Sequence, residues 1–248
     1  MIKNIKYFSK YLNLYLRNLR YTSYLKIKNP KKKIVDINLF NKKYLGKKNI
    51  LTEIMNEFGS DKGNLHNYTD FYHFLFNQIR EKKLNIFEVG LGSVKVDFSD
   101  NMSIFKSYSP LCSLKGWRKY FFNSKIFGAD IDKSILNDDE NIKTFYVDML
   151  KKNTIDTMWK KIGKKMDIII DDGMHTYNAN IVFFENSINF LVDEGFYIIE
   201  DINRKPSNIK KYFQYFSKKD FLWQIVDIKN PKNVRNNCLL IVKKKINN

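Results

Sequence analysis

Short apolar runs alternate with helically spaced apolar residues along most of the chain. Seven of these runs are apolar enough for buried strands, and most stop at a glycine or an acidic residue, as strands that end in loops do. The predicted strands span residues 84–89, 125–130, 143–147, 166–170, 196–199, 221–227 and 238–242. Strands with interleaved helices predict a three-layer α/β domain with a mostly parallel seven-stranded sheet, and the last two runs predict a closing antiparallel pair.

The helical stretches with clear ends span residues 51–58, 114–122 and 206–216. Thr69 is expected to cap the helix that follows it, because a threonine side chain can accept a hydrogen bond from an unpaired backbone N–H group of the first turn. Residues 93–112 show no clear period. Long loops at this edge of a sheet are usually functional, so we expect this loop to cover a bound ligand.

The segment 166–202 is a single βαβ unit whose strands both end in acidic residues. One strand runs into the sequence DDGMH and the next into ED. Parallel neighbouring strands lie about 4.8 Å apart. Asp172 would therefore face Glu200 and Asp201 at the carboxyl edge, where open α/β sheets bind ligands. These carboxylates and His175 predict a divalent-metal site with a base beside it; the alternative is that the acids only cap helices.

The first strand runs into EVGLGS, an acid followed by closely spaced glycines. This pattern lets a ligand approach the backbone and is shared by dinucleotide and S-adenosylmethionine (SAM) sites. The third glycine of the dinucleotide fingerprint is absent, which disfavours NAD. Asp130 follows the second strand, where doubly wound folds hold ribose hydroxyls, whereas Asp132 is expected to cap the next turn. Asp148 either accepts a hydrogen bond from an adenine amino group or caps the next helix.

The composition limits the class of protein. A chain of 248 residues with 44% hydrophobic content suffices for one α/β domain with an extension. No apolar run of about 18 residues predicts a membrane-spanning helix, and no signal peptide is recognisable. The two cysteines, Cys112 and Cys238, lie far apart without CxxC spacing. Thiolate zinc and a disulfide scaffold are therefore not expected, and a cytoplasmic location is.

The net charge of +18 is concentrated at the N-terminus, where residues 1–50 carry a net of +13. Residues 2–20 have one apolar helical face and a basic opposite face. They are expected to pack on the body or on a second subunit of a homo-oligomer; the alternative is peripheral contact of residues 1–33 with an anionic membrane. We assign residues 1–48 to a basic helical extension and residues 49–248 to the catalytic domain. No nucleic-acid partner is expected, because the basic excess lies outside the predicted site.

Several segments resemble class I SAM-dependent methyltransferases. They are FEVGLGS, SLKGWRKYFFNSKIFGADID, DIIIDDGMH and GFYIIEDI. Together with GSDKG and H.YT..Y ahead of the first strand, they are more similar to the metal-dependent sugar O-methyltransferases of the mycinamicin and macrocin type, over residues 52–245. The resemblance implies a Rossmann-like methyltransferase fold, SAM as methyl donor, Mg²⁺ or Mn²⁺ as metal, and a sugar or sugar-nucleotide substrate.

The resemblance also implies roles for individual residues. Asp172, Glu200 and Asp201 would hold the metal, and His175 would act as general base beside Asp172 in the catalytic centre. The residues expected to bind the methyl donor are Glu88, Gly90, Gly92, Asp130, Asp148, Asp171 and Lys62. The chain departs from the family pattern at Met174, where serine is common, and in a SAM loop that is less rich in glycine.

The function expected from these features is methylation of a sugar hydroxyl. A nucleotide-activated hexose or heptose for a bacterial capsule or another surface polysaccharide is the predicted substrate, and His66 and Tyr68 are expected on the substrate side. One alternative is methylation of a catechol, a small phenol or a natural product. Others are a nucleic-acid-binding or nucleic-acid-modifying protein, which the basic charge would suit, and a non-catalytic NAD-binding module.

Overall fold

The computed structural model describes residues 33–95, 102, 108–229 and 237–246. In this part, one sheet contains β1 (Asn85–Val89), β2 (Lys125–Asp130), β3 (Ile142–Tyr146), β4 (Met166–Asp171), β5 (Leu191–Ile199), β6 (Leu222–Asp227) and β7 (Cys238–Lys243). The helices are α1 (Ile37–Lys43), α2 (Ile50–Glu57), α3 (Asp61–Asn64), α4 (Tyr68–Phe76), α5 (Cys112–Tyr120), α6 (Lys152–Ile162), α7 (Tyr177–Ser187) and α8 (Pro206–Phe216). Short 3₁₀ helices follow β2 and α7.

The strand order across the sheet is β3-β2-β1-β4-β5-β7-β6. The first five strands in sequence pair in parallel, and β7 lies antiparallel between β5 and β6. The predicted seven-stranded sheet and its closing antiparallel pair are therefore confirmed. The chain builds outward from β1 to β3 and then crosses back to β4. The β1–β4 boundary is thus the topological switch point, where ligands bind in open α/β sheets.

Both faces of the sheet are buried under helices. In β4, Met166 and Ile169 belong to one core layer, whereas Ile168 and Ile170 belong to the other. A strand that is buried on both faces needs apolar residues at successive positions. This explains why the central strands appear in the sequence as continuous apolar runs.

Two local predictions differ from the structure. β5 begins at Leu191, opposite Met166 of β4, and its first half was hidden because exposed acidic residues interrupt the apolar pattern. The prediction that Thr69 caps a helix is wrong. Thr69 lies inside α4, whose N-cap residue is Asn67, and its hydroxyl is 2.7 Å from that of Thr52 in α2. Thr69 therefore ties two helices together.

The described end of the predicted extension packs onto the body. Val35 and Phe40 are buried in one of the two core layers. The backbone N–H groups of Ile34 and Val35 both donate to Oε1 of Gln224 in β6. The predicted helix of residues 2–20 lies outside the described residues, and the domain boundary near Asn49 stays a prediction.

Among the residues that the structure describes, no helix is both long and apolar enough to cross a membrane. Most of the predicted covering loop, residues 93–112, falls outside the described ranges. Its two ends are described and adjoin the cavity considered next.

Candidate active site

A cavity of about 210 Å³ opens at the carboxyl ends of the parallel strands, at the switch point of the sheet. Its polar lining comes from the loops after β1, β3, β4 and β5, from the end of β2, from the segment before α4 and from the start of α5. The lining residues with polar side chains are Ser60, Asp61, Lys62, Ser93, Tyr108, Ser113, Asp130, Asp148, Asp172, His175 and Asp201. The cavity therefore unites the predicted donor side and the predicted metal side.

The loop after β1 approaches its neighbours closely at two glycines. Gly90 has φ +92°, and a Cβ atom there would lie 2.0 Å from the carbonyl oxygen of Asp172. Gly92 has φ +76°, and a Cβ atom there would lie 2.0 Å from the hydroxyl of Tyr108. Glycine adopts such positive φ values without steric cost. Both glycines line the cavity, as expected for a loop that lets a ligand approach the backbone.

Asp130 is fixed by backbone groups at the end of β2. Its two carboxylate oxygens accept hydrogen bonds from the N–H of Leu91, at 2.7 Å, and of Asp132, at 2.8 Å. Asp130 lines the cavity, in the position predicted for a ribose-binding acid. Asp132 caps the following 3₁₀ helix through the N–H of Ser134, which confirms its capping role.

Asp148 lines the same cavity beyond Asp130. Its carboxylate accepts a hydrogen bond from the N–H of Leu150 and forms an ion pair with Lys151 at 2.9 Å. The N-cap residue of α6 is Lys151, so the alternative in which Asp148 is that cap is wrong. Its side chain therefore has a place at the cavity wall that capping does not explain.

Three of the predicted catalytic and metal-binding residues meet on the other side of the cavity. Ligand atoms of Asp172, His175 and Asp201 all lie within 4.8 Å of one another. His175 and Asp201 both have positive φ, at 51° and 53°. Positive φ in residues other than glycine costs energy and is concentrated at functional sites, so the surrounding structure holds these two side chains in place.

This group of residues suits a hard divalent cation. Carboxylate oxygens are the ligands preferred by Mg²⁺, and imidazole nitrogen is accepted by Mn²⁺ and related ions. The Nδ1 atom of His175 is buried and lacks a hydrogen-bond partner among the described residues. The other ring nitrogen, Nε2, lies 3.7 Å from Oδ2 of Asp201. The ring thus has one nitrogen near the acidic group and one that still needs a polar partner, which a metal ion or a substrate hydroxyl would supply.

Glu200 lies beside this group but faces a different partner. Its Oε2 atom accepts a hydrogen bond from Nζ of Lys62 at 2.7 Å, and its Oε1 atom accepts one from the hydroxyl of Tyr72 at 2.5 Å. The Lys62 ammonium also donates to Asp172 at 2.6 Å and lies 3.1 Å from Glu88. Lys62, predicted as a donor-binding residue, thus contacts both the donor-side and the metal-side acids.

Two further predicted donor-binding residues lie behind the cavity wall. Glu88 is fully buried, and its Oε2 atom accepts a hydrogen bond from the indole N–H of Trp117 at 2.9 Å. Asp171 is also fully buried and accepts hydrogen bonds from Asn180 and Tyr197. Burial raises the pKa of Asp171 to about 6. Neither residue is part of the described lining, so their contact with a donor stays a prediction.

Further residues of the site lie between α2 and the end of α4, and the sequence predicted only some of them. The hydroxyl of Tyr68 donates to Asp201 at 2.5 Å, and His66 stacks on the Tyr68 ring. Burial alone would lower the pKa of His66, but Asp61 and Asp201 outweigh it and raise that pKa to about 9. The role of Tyr72 was missed. Its only sequence signal is its helical spacing from Tyr68, which places both phenols on one face of α4.

Strand order, glycine loop and acidic strand ends together define the Rossmann-like fold of class I methyltransferases. The sequence resembles the 8-demethyl-8-alpha-L-rhamnosyl tetracenomycin-C 2'-O-methyltransferase of Streptomyces olivaceus, with 26% identity over 144 residues, 58% of this chain and 35% of that protein. It also resembles the mycinamicin VI 2''-O-methyltransferase of Micromonospora griseorubida, with 30% identity over 156 residues, 61% of this chain and 36% of that protein. The predicted resemblance to sugar O-methyltransferases is confirmed.

A solved structure supports the same fold. The MycE methyltransferase of the mycinamycin pathway, in complex with Mg, SAH and mycinamycin VI, matches with a TM-score of 0.59 at 22% identity, over 80% of this chain and 55% of that one. The chain spans about a third of the length of the curated relatives it matches. No protein-family model matches the sequence.

Proposed function

We propose that the protein is a SAM-dependent, divalent-metal-assisted O-methyltransferase that acts on a sugar hydroxyl. The observation that carries the proposal is the single cavity that joins the glycine loop and Asp130 to the group of Asp172, His175 and Asp201. The sugar O-methyltransferases that the sequence resembles support the reaction type and the acceptor. The MycE complex with Mg and SAH supports the two cofactors.

On the donor side, the chain's task is to bind and orient SAM. Gly90 and Gly92 line the cavity and would present backbone rather than side chains to the donor. The Asp130 carboxylate, held by two backbone N–H groups, would accept hydrogen bonds from the ribose hydroxyls. Asp148 would lie near the adenine. This arrangement would orient the methyl group of SAM relative to the acidic side of the cavity.

On the acceptor side, Asp172 and Asp201 would hold the ion, and Glu200, the third predicted ligand, lies beside them with its oxygens engaged by Lys62 and Tyr72. A bound divalent ion supplies Lewis acidity that lowers the pKa of a hydroxyl and orients its oxygen. His175 lies beside both cavity-facing aspartates, with Nε2 3.7 Å from Oδ2 of Asp201, and would accept the hydroxyl proton. General bases of this kind contribute roughly 10²–10⁴-fold in rate. The hydroxyl oxygen forms its bond to the methyl carbon as the carbon–sulfur bond of SAM breaks.

For the substrate, we propose a sugar, with the nucleotide-activated hexose or heptose of a surface polysaccharide as one form. The named relatives act on sugars attached to natural products, so a glycosylated natural product is the second form. Several aspartates line the described cavity wall, namely Asp61, Asp130, Asp148, Asp172 and Asp201. Such a wall repels a polyanion, which supports the small-molecule assignment over nucleic acid.

The test is incubation of the protein with SAM, Mg²⁺ or Mn²⁺ and three acceptor panels: sugar nucleotides, glycosylated natural products and catechols. Mass spectrometry would detect a mass gain of one methyl group. Asp172→Asn should abolish turnover, whereas Asp156→Asn, on the exposed face of α6, should leave it unchanged. Turnover of catechols alone would contradict the sugar assignment, and full activity of Asp172→Asn would contradict the role of the acidic group.

A further inference from the structure

The side chain of Lys62 is the centre of a buried charge cluster. Only 1% of Lys62 is exposed, and its ammonium lies 2.6 Å from Asp172, 2.7 Å from Glu200 and 3.1 Å from Glu88. The ammonium donates hydrogen bonds to Asp172 and Glu200, whereas the Oε1 atom of Glu88 lies at ion-pair distance and has no hydrogen-bond partner among the described residues. Lys62 is therefore the counter-ion that the fold itself provides for these three acids.

The same contacts divide the acids into two sets. Glu88 and Glu200 are buried and are neutralised mainly by the ammonium, and each has a second oxygen engaged by Trp117 or Tyr72. Asp172 and Asp201 face the cavity instead. Asp172 is shared, because one of its oxygens accepts from Lys62 while the residue also belongs to the group with His175 and Asp201.

We propose that Lys62 is a positioning residue whose ammonium occupies Glu88 and Glu200 and shares Asp172 with the divalent ion. The site therefore binds only one divalent ion, and binds it weakly. This inference rests on the proposed metal-assisted function and deepens it. The buried acids would otherwise carry uncompensated charge, and an ammonium fixed by the fold supplies that compensation before any ion binds. The positive charge of the ammonium repels an incoming dication. In addition, both cations compete for the same carboxylates.

The consequence is opposite to that of an ordinary binding residue. Removing Lys62 takes away a positive charge next to Asp172 and frees an oxygen of Glu200. Ion binding should therefore become tighter. A purely structural lysine would give the reverse, because loss of order around the acids would weaken ion binding.

The experiment is calorimetric titration of the full chain with MnCl₂ in the absence of SAM. Lys62→Met should bind Mn²⁺ at least about tenfold more tightly than the wild type. Tyr72→Phe is the matched control, because it removes a hydrogen bond to the same Glu200 without a change of charge. Its affinity should stay within about threefold of the wild type, as expected for loss of one neutral donor.

A second variant covers the case in which Lys62→Met does not fold, as circular dichroism would show. Lys62→Met combined with Glu88→Gln removes the ammonium together with one of its acids, and Glu200 is still released. This variant should also bind Mn²⁺ more tightly than the wild type. Equal or weaker Mn²⁺ binding by the folded variants would overturn only the proposed role of Lys62 and would not contradict the metal-assisted function. A wild type that binds no Mn²⁺ at millimolar concentration would overturn this role and the metal-assisted function together.

Discussion

The close approach of Gly90 to the loop after β4 allows a quantitative prediction. In Gly90→Ala, the added methyl would lie 2.0 Å from the backbone oxygen of Asp172, and the residue would keep φ +92°. Positive φ costs an L-residue roughly 1–2 kcal/mol, and overpacking costs a further 1–3 kcal/mol or more. Since the contacted atom belongs to the backbone, we expect a loss near the upper end, about 4–5 kcal/mol. For a chain of this size, each kcal/mol corresponds to about 2–4 °C in Tm.

Gly46→Ala is the matched control for this prediction. Gly46 has φ +68°, but no atom of the described chain would lie within 4 Å of an added Cβ. It should lose only the backbone contribution, about 1–2 kcal/mol. Thermal unfolding and titration with SAH would be measured for both variants. If Gly90→Ala were as stable as Gly46→Ala and bound SAH as tightly as the wild type, the reasoning from close approach would be refuted.

Three further outcomes are expected. Treatment with EDTA should abolish methyl transfer, and Mg²⁺ or Mn²⁺ should restore it. Activity that survives EDTA would show that the reaction does not need the ion. His175→Ala should lower kcat by roughly 10²–10⁴-fold while the Kd for SAH changes little, since the base acts on the acceptor proton; a loss below tenfold would reject the assignment. Burial raises the pKa of Asp227 to about 6 against the opposing charge of Arg204. In the folded protein, Asp227 thus binds a proton more tightly than in the unfolded chain, where its pKa is near 3.8. The free energy of unfolding should therefore fall as the pH rises from about 4 to 6. Asp227→Asn should weaken this pH dependence of the free energy of unfolding, as measured by urea unfolding at each pH. A pH dependence equal to that of the wild type would contradict the argument.

Much of the fold was predictable because the central strands are buried on both faces and appear as apolar runs. The convergence of Asp172 with Asp201 was predictable for the same reason, since parallel neighbouring strands end at one edge of the sheet. β5 shows the limit. Its first half carries exposed acids, so its apolar period is broken although its backbone is paired with β4.

The interior of the site was not predictable from local pattern. Lys62 meets Asp172 and Glu200 across 110 and 138 residues of sequence. No spacing rule connects positions that far apart, and only the packing of α3 and α4 over the strand ends brings them together. Glu88 shows a related limit. Its contact with the donor was implied only by the resemblance, and its orientation depends on Trp117 and Lys62, which approach it from other elements.

The backbone at His175 and Asp201 has a consequence for how this protein can change. Both residues hold positive φ, which glycine adopts without steric cost. Replacement by glycine relieves the backbone and removes the proposed base or a proposed metal ligand in the same step. Selection for thermal stability alone would therefore favour variants that lack the proposed base or metal ligand and are inactive. Directed evolution of a more stable variant must therefore screen for the proposed methyl transfer in every round.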